Sequence, residues 1–259
     1  VVEGAELLSV ALESGATVES VYVAPGGRDA ASVAAAVEQV FVAGGRVFDL
    51  APGVLERISD TVSPQPVLGI VEFTPAKLSA FQGASTVIVS VDVRDPGNAG
   101  TMIRTADATG IDGVVCCAGT VDPTNPKTVR ASAGSIFHTP VVVGGEPGEV
   151  IATLRGWGMT VVGTVVRGGT DYTEFDWSKR VAVVFGNEAS GLDRSVAELL
   201  DERVSIPMAG RAESLNVSVS AAVLCFEILR QRRSAKGTTT IAADPPGRPT
   251  MPDVEGPGR

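Results

Sequence analysis

The sequence is poor in the residues that most often announce a metal or redox centre. It holds one histidine, His138, and three cysteines, of which Cys116 and Cys117 are adjacent and Cys225 is distant. A single histidine excludes a multi-histidine metal site, and this cysteine spacing makes neither a CxxC pair nor a disulfide framework. The cysteines read as small buried hydrophobes in reducing, cytoplasmic surroundings. A Ser-His-Asp triad would have to recruit His138 from "SIFHTPV", a strand-like run where a structural or surface histidine is the simpler reading. No apolar run reaches the roughly 18–20 residues that a membrane span needs. No GxGxxG follows the first strand and no Walker lysine motif is present, which removes the usual dinucleotide and P-loop sites. The chain opens at Val1 without methionine or a charged-then-apolar leader, and so reads as truncated or processed, not targeted.

What is present is the material of a layered α/β protein. Of 259 residues, 44% are hydrophobic, enough for a substantial core. The net charge of −9 argues against a general nucleic-acid coat, but it leaves room for a local basic groove. Runs rich in Val and Ile ("VESVYVAP", "GRVFDLA", "VLGIVEF", "STVIVSVDV", "GIDGVVCCAG", "GMTVVGTVV", "VAVVFGN", "RVSIPMA") alternate with helical patterns at 29–42, 98–109, 148–156 and 191–200. Short apolar strands separated by helices predict a parallel sheet covered on both faces. Composition breaks at "TPAKLSAFQGAS", which divides the chain into residues 1–74, a linker at 75–84 and a second domain over 85–235. Residues 236–259, rich in Pro and Gly without periodicity, are expected to be disordered.

Three segments of the second domain depart from ordinary punctuation. In "RDPGNAGTMIRTADATG" (94–110), Asn98 can cap a helix that Gly110 stops, and Gly97 and Gly100 permit close backbone approach at an anion-friendly helix start. Arg104 is then either a functional cation or simply the i,i+3 partner of Asp107. In "VAVVFGNEASGLDRSV" (181–196), a buried strand ends in Gly186, Asn187 and Glu188, and a helix is expected from about Gly191. Strand ends of open α/β sheets form binding crevices, although Glu188 could equally cap the next helix. In "VSIPMAGRAESLNVSVSAAVLCFEILRQRR" (204–233), Ser214 or Asn216 can cap a long helix with Val219, Val223, Phe226 and Leu229 towards the core. Met208 and Leu215 flank polar residues there, as an amphiphilic ligand would require.

Together and in this order, "NAGTMIRTADATG", "VVFGNEASGL" and "IPMAGRAESLNVSVSAA" closely resemble the three motifs of the SpoU (TrmH-like) RNA 2′-O-ribose methyltransferases of the SPOUT superfamily. "NPKTVRASAGSIFHTPV" resembles the family's link between the first two motifs. More weakly, residues 1–74 resemble its small ribosomal-protein-like RNA-binding domain, with the first strands cut off. The resemblance implies an α/β SPOUT domain whose parallel sheet carries a deep trefoil knot, a device otherwise almost absent from proteins. It implies S-adenosyl-L-methionine as cofactor, held by Gly163, Thr164, Gly186, Ile206, Met208, Leu215 and Asn216. Arg104 would be the catalytic group, oriented with the ribose by Asn98, Glu188, Ser214 and Asn216, with Arg130 and Ser132 contacting phosphate. Arginine resists deprotonation, so stabilisation of the 2′-oxyanion is its favoured role over general base. The donor carries its own activated methyl, so no metal is required. The resemblance also implies a homodimer formed through the methyltransferase domain, with the long last helix as contact. An attached RNA-binding domain favours ribosomal RNA as substrate. A tRNA 2′-O-methyltransferase, a base methyltransferase and a non-catalytic RNA-binding protein of the same fold are the alternatives.

Overall fold

A computed structural model describes residues 1–59, 61 and 63–235; the tail expected to be disordered lies outside them. The first part folds as β1 (Val2–Glu3), α1 (Ala5–Glu13), β2 (Val18–Val23), α2 (Ala31–Val42), β3 (Arg46–Asp49), α3 (Leu55–Ile58) and β4 (Val67–Val71). Its four strands lie in the order β1-β4-β2-β3. Only β2 and β3 run parallel; β4 is antiparallel to both β1 and β2. The parallel expectation fails here because β4 returns through residues 50–66 without a crossover helix long enough to reverse it.

The second part comprises β5 (Thr86–Ser90), α4 (Pro96–Thr109), β6 (Gly113–Cys116), α5 (Pro126–Ser132), β7 (Val141–Val143), α6 (Pro147–Gly156), β8 (Thr160–Thr164), β9 (Thr170–Asp171), β10 (Val181–Phe185), α7 (Arg194–Ala197), β11 (Glu202–Ser205) and α8 (Val217–Ala235). Its seven strands lie in the order β7-β6-β5-β10-β8-β11-β9, and every pairing is parallel. The continuous apolar runs of β5 and β10 are buried along their whole lengths, as a sheet covered on both faces demands. The helix expected over 191–200 shrinks to the four residues of α7, begun by Asp193 accepting from the Val196 amide.

Residues 75–84 are packed into the body. Phe81 is buried against Gly113, where an added Cβ would lie 2.5 Å from its ring. Arg180 donates to the carbonyls of Ala84 (2.8 Å) and Gln82 (2.6 Å), and Arg232 donates to Ser85 Oγ (2.9 Å). One apolar core runs from Val2 and Leu8 of the first part through Val129 and Ile136 to Ile88 and Met102 of the second.

Two helices differ from expectation in ways that bear on the site. α4 is capped by Asp95, whose carboxylate accepts the Asn98 amide at 2.9 Å, with Pro96 opening the first turn. Asn98 therefore lies inside the helix with its side chain free for other work; Gly110, at φ +67°, ends it as expected. α8 buries Ala221, Leu224, Cys225 and Ile228, and leaves Val219 and Phe226 about half exposed. Of the stripe expected to face the core, Val219 and Phe226 turn outward, whereas Val223 and Leu229 are half-buried. Small residues on the inner stripe let α8 approach α4, against which it packs. No helix of the described residues is long and apolar enough to cross a membrane.

Candidate active site

The carboxyl ends of β8, β10 and β11 open into a cleft of about 230 Å³. Thr164 leaves β8 at one wall, Gly186 leaves β10 at the floor, and Ile206, Met208 and Leu215 supply an apolar slot. Glu188, Ser190, Glu213 and Ser214 form the polar rim. Gly186 is glycine for a visible reason: an added Cβ would lie 2.5 Å from both the Gly191 carbonyl oxygen and the Leu192 amide. The 186–191 loop closes on itself through two backbone hydrogen bonds between Asn187 and Gly191, at 3.0 and 2.9 Å. Gly191 takes φ +68°, a conformation glycine adopts without strain.

Beside this cleft three distant segments meet through side chains. Glu188 accepts the Asn98 amide (Nδ2, 3.0 Å) and the backbone N–H groups of Asp95 (3.1 Å) and Arg94 (3.3 Å). The Asn98 carbonyl oxygen accepts from Asn216 Nδ2 at 2.9 Å and from the Ser218 hydroxyl at 3.2 Å. Asn216 caps α8, its Oδ1 accepting from the Ser218 amide at 2.9 Å. Asn98 thus has its orientation dictated from both ends, donating towards a carboxylate and accepting from α8. Burial pushes the Glu188 carboxyl up, but the hydrogen bonds from Asn98 and the neighbouring amides outweigh it, and its pKa lies below the ordinary value. It is a fixed anion, poorly suited to accept a proton at neutral pH.

Of the residues singled out from sequence, Thr164, Gly186, Glu188, Ile206, Met208, Ser214 and Leu215 line the cleft, and Asn98 and Asn216 join it through Glu188. Gly163 does not line it: its missing Cβ makes room for Leu200, whose Cδ2 would lie 2.9 Å away. Ser132 is wholly buried and donates its hydroxyl to the Val129 carbonyl at 2.7 Å, which leaves no surface for a phosphate. Arg130 lies 3.7 Å from Glu3 and joins α5 to the first sheet. Gly100 does not open the site to a ligand, since its Cα faces the backbone of Thr128 and Ser132 in α5. Arg104 stands exposed on the outer face of α4, without an ion pair among the described residues; Asp107 lies 3.6 Å from His138 Nδ1 instead.

Ser218 and Asp95 escaped the sequence reading. Both sit within two or three residues of a motif asparagine, a spacing that also suits ordinary capping, so nothing local separated them. Asn187, noted only as part of a polar trio, binds the Asp92 carbonyl at 2.9 Å and holds the two loops together. Asp92 adopts φ +56°, rare for a residue other than glycine, at this junction. The three cysteine thiols are buried and pushed up to about 12, which leaves them unreactive. Among the described residues, no group of three or more His, Cys, Asp or Glu is placed to hold a metal ion.

Comparison with known proteins decides what kind of site this is. Residues 85–226 match the model of the SpoU rRNA Methylase family, and residues 1–69 match that of the MRM3-like substrate binding domain. The chain belongs to the SpoU rRNA methylase family. It is 36% identical to the 23S rRNA (guanosine(2553)-2′-O)-methyltransferase RlmP of Bacillus subtilis over 88% of this chain and 87% of that protein. It is 35% identical to the 23S rRNA (uridine(2479)-2′-O)-methyltransferase of Streptomyces viridochromogenes over 74% of this chain and 69% of that one. Among solved structures, the SpoU methyltransferase AviRb of S. viridochromogenes in complex with AdoMet superposes with a TM-score of 0.78, at 32% identity and 90% coverage of both chains. An AdoMet-bound rRNA methyltransferase of Sinorhizobium meliloti gives 0.75 at 35% identity, covering 88% of this chain and 85% of that one. The seven-stranded parallel sheet is thus the SpoU methylase fold, and the cleft lies at the strand ends where its three motifs converge.

Proposed function

We propose that this SpoU protein transfers the methyl group of S-adenosylmethionine to a ribose 2′-hydroxyl of ribosomal RNA, using the cleft between β8, β10 and β11. The observation that carries the reading is the convergence of Asn98, Glu188 and Asn216, one from each motif, beside an apolar slot at the strand ends.

The residues present fit the cofactor. Ile206, Met208 and Leu215 offer a surface for a flat, weakly polar ring, while the rim carboxylates of Glu188 and Glu213 suit a cationic ligand rich in N–H and O–H groups. When bound, S-adenosylmethionine supplies a methyl group already activated on a cationic sulfur. The chain's own task is to position the ribose and stabilise the charge left on its oxygen as the proton departs. Glu188 and Asn216 hold Asn98 in one orientation, and Glu188 also anchors the turn that starts α4. Arg104, exposed on that same helix, outside the cleft lining and without an ion pair among the described residues, is the cation we assign to meet the developing 2′-oxyanion. Ser214, on the polar rim of the cleft, completes the set that would orient the ribose.

The knot implied by the motifs is the threading that would return the chain from 206–216 across the Glu188 loop to α4. The exposed stripe of α8, with Val219 and Phe226 outward, is the surface through which two copies would pair. A cytoplasmic location follows from the ribosomal substrate. The test is Arg104→Ala, assayed for methyl transfer to rRNA and for S-adenosylmethionine binding. Loss of one preorganised donor predicts a fall in turnover of about 10²–10³-fold with cofactor affinity retained; unchanged turnover overturns the assignment.

A further inference from the structure

A second opening, about 380 Å³, lies between the two sheets and takes no part in the site described above. Residues 14–17 and 72–74 form its first side, and residues 136–141 form the other. The half-buried rings of Phe73 and Phe137 give it apolar walls. Glu72 stands at its edge with its backbone N–H bound to the Thr17 carbonyl (2.9 Å) and its carboxylate without a partner among the described residues. His138 lines it as well and touches Asp107, which lies one helical turn beyond Arg104 on the outer face of α4. An RNA strand with its ribose at Arg104 would therefore lead, past Asp107 and His138, into this opening.

The charge of the first part decides what such a strand could offer. Residues 1–74 hold ten Asp and Glu against three Arg, and two of those arginines are engaged, Arg28 with Asp49 at 2.8 Å and Arg46 with Glu19. This excess of carboxylates disfavours phosphate contacts, and with Glu72 the one acidic group lining the opening among the described residues, the bases are the part of the RNA suited to it. Aromatic walls suit the face of an unstacked base, and a lone carboxylate suits two adjacent N–H donors.

We propose that the opening between the two sheets receives the unpaired guanine of a nucleotide neighbouring the methylated one, with Phe73 and Phe137 against the ring and Glu72 accepting from its N–H edge. The proposal rests on the ribose-methylation reading and adds a recognition subsite to it.

The test uses the full chain and an rRNA fragment that it methylates. Guanosines flanking the methylated nucleotide are replaced one at a time by inosine, which lacks the 2-amino group. At one position KM for RNA rises about tenfold with kcat unchanged, the loss expected of one charge-assisted hydrogen bond. Glu72→Gln raises KM to a similar extent with S-adenosylmethionine affinity unaltered, and the two changes together cost no more than either alone. Phe73→Leu also raises KM. Wild-type KM for every inosine-substituted RNA and for Glu72→Gln, with turnover intact, overturns the subsite and leaves the methylation reading standing. If no RNA is methylated, the methylation reading fails. Cross-linking of 6-thioguanosine-substituted RNA, which needs no turnover, then decides the subsite: adducts on residues 72–74 or 136–141 support it, and adducts elsewhere only refute it.

Discussion

Replacing Asn98 by aspartate exchanges one heavy atom, nitrogen for oxygen, and should convert the junction of the three motifs into a pH-sensitive one. Asn98 is 9% exposed, and its Nδ2 lies 3.0 Å from Glu188 Oε1. In Asn98→Asp, two carboxylates face each other at that distance. At an effective dielectric of about 20, two unit charges about 3 Å apart repel by roughly 5 kcal/mol. The pair relieves most of this by retaining one proton, so that one of the two carboxyls titrates near neutrality instead of near about 4. With one proton held, an O–H donor replaces the lost N–H donor and the link to Glu188 is restored. The sign follows: the raised carboxyl destabilises the variant above its folded-state pKa, and the penalty fades as pH falls through it. At pH 8 the variant should lose about 3–5 kcal/mol and melt at least about 6 °C below the parent, and near pH 5 the gap should largely close. Methyl transfer should follow, with a large deficit at pH 8 that narrows towards pH 6, whereas Asn98→Ala should show a deficit independent of pH. Thermal melts and initial rates of transfer across pH 5–8.5 measure both. An Asn98→Asp protein with the parent's melting temperature and pH profile would refute the Glu188–Asn98–Asn216 chain as the device that assembles the site.

Gly100→Ala should drive a methyl group into the α5 backbone, 2.9 Å from the Ser132 amide, and lower stability by about 1–3 kcal/mol in a denaturant melt, with no such loss for Gly156→Ala at the end of α6, where an added Cβ meets nothing within 4 Å. Phe226→Asp should convert a dimer to monomers in sedimentation analysis while preserving the far-ultraviolet spectrum, because Phe226 is 54% exposed in one copy. Glu3 has its carboxyl pushed up by burial but lowered further by the Gln65 amide, the Thr61 and Ser59 hydroxyls and Arg130, for a net shift below 4.5. Its contribution to stability is therefore full above the unfolded value and lost as pH falls through the folded one. The parent should show little change in melting temperature from pH 7 to 5 and a fall below pH 4.5, and Glu3→Gln should flatten that fall.

The sequence-singled residues that the structure gathers at the cleft are those placed by short contiguous spacing. Gly186, Glu188, Met208 and Leu215 lie within motifs tied to strand ends, and strand ends are where an open parallel sheet leaves its crevice. The misreadings share a different cause. Asn98 looked like a cap because asparagine before an apolar run is a strong cap, yet Asp95 followed by Pro96 is a better one, three residues earlier. α8 carries two apolar stripes, Val219-Val223-Phe226-Leu229 and Ala221-Leu224-Cys225-Ile228, with the same helical period; only the position of α4 selects the inner one. Ser132 and Gly100 read as exposed because nothing in the sequence shows that α4 and α5 pack backbone to backbone. In each case the deciding neighbour is remote in sequence, Glu188 to Asn98 by 90 residues being the plainest instance.

The central claim is that the methyl group goes to a ribose oxygen of ribosomal RNA. The most direct measurement is to incubate the protein with rRNA and S-adenosylmethionine labelled in its methyl group, then hydrolyse the RNA in alkali. Alkaline cleavage requires a free 2′-hydroxyl, so label on that oxygen survives in dinucleotides. The account predicts label in alkali-resistant dinucleotides with the parent protein and its near-complete loss with Arg104→Ala. Label in mononucleotides, which marks a methylated base, or no transfer to rRNA at all would contradict it.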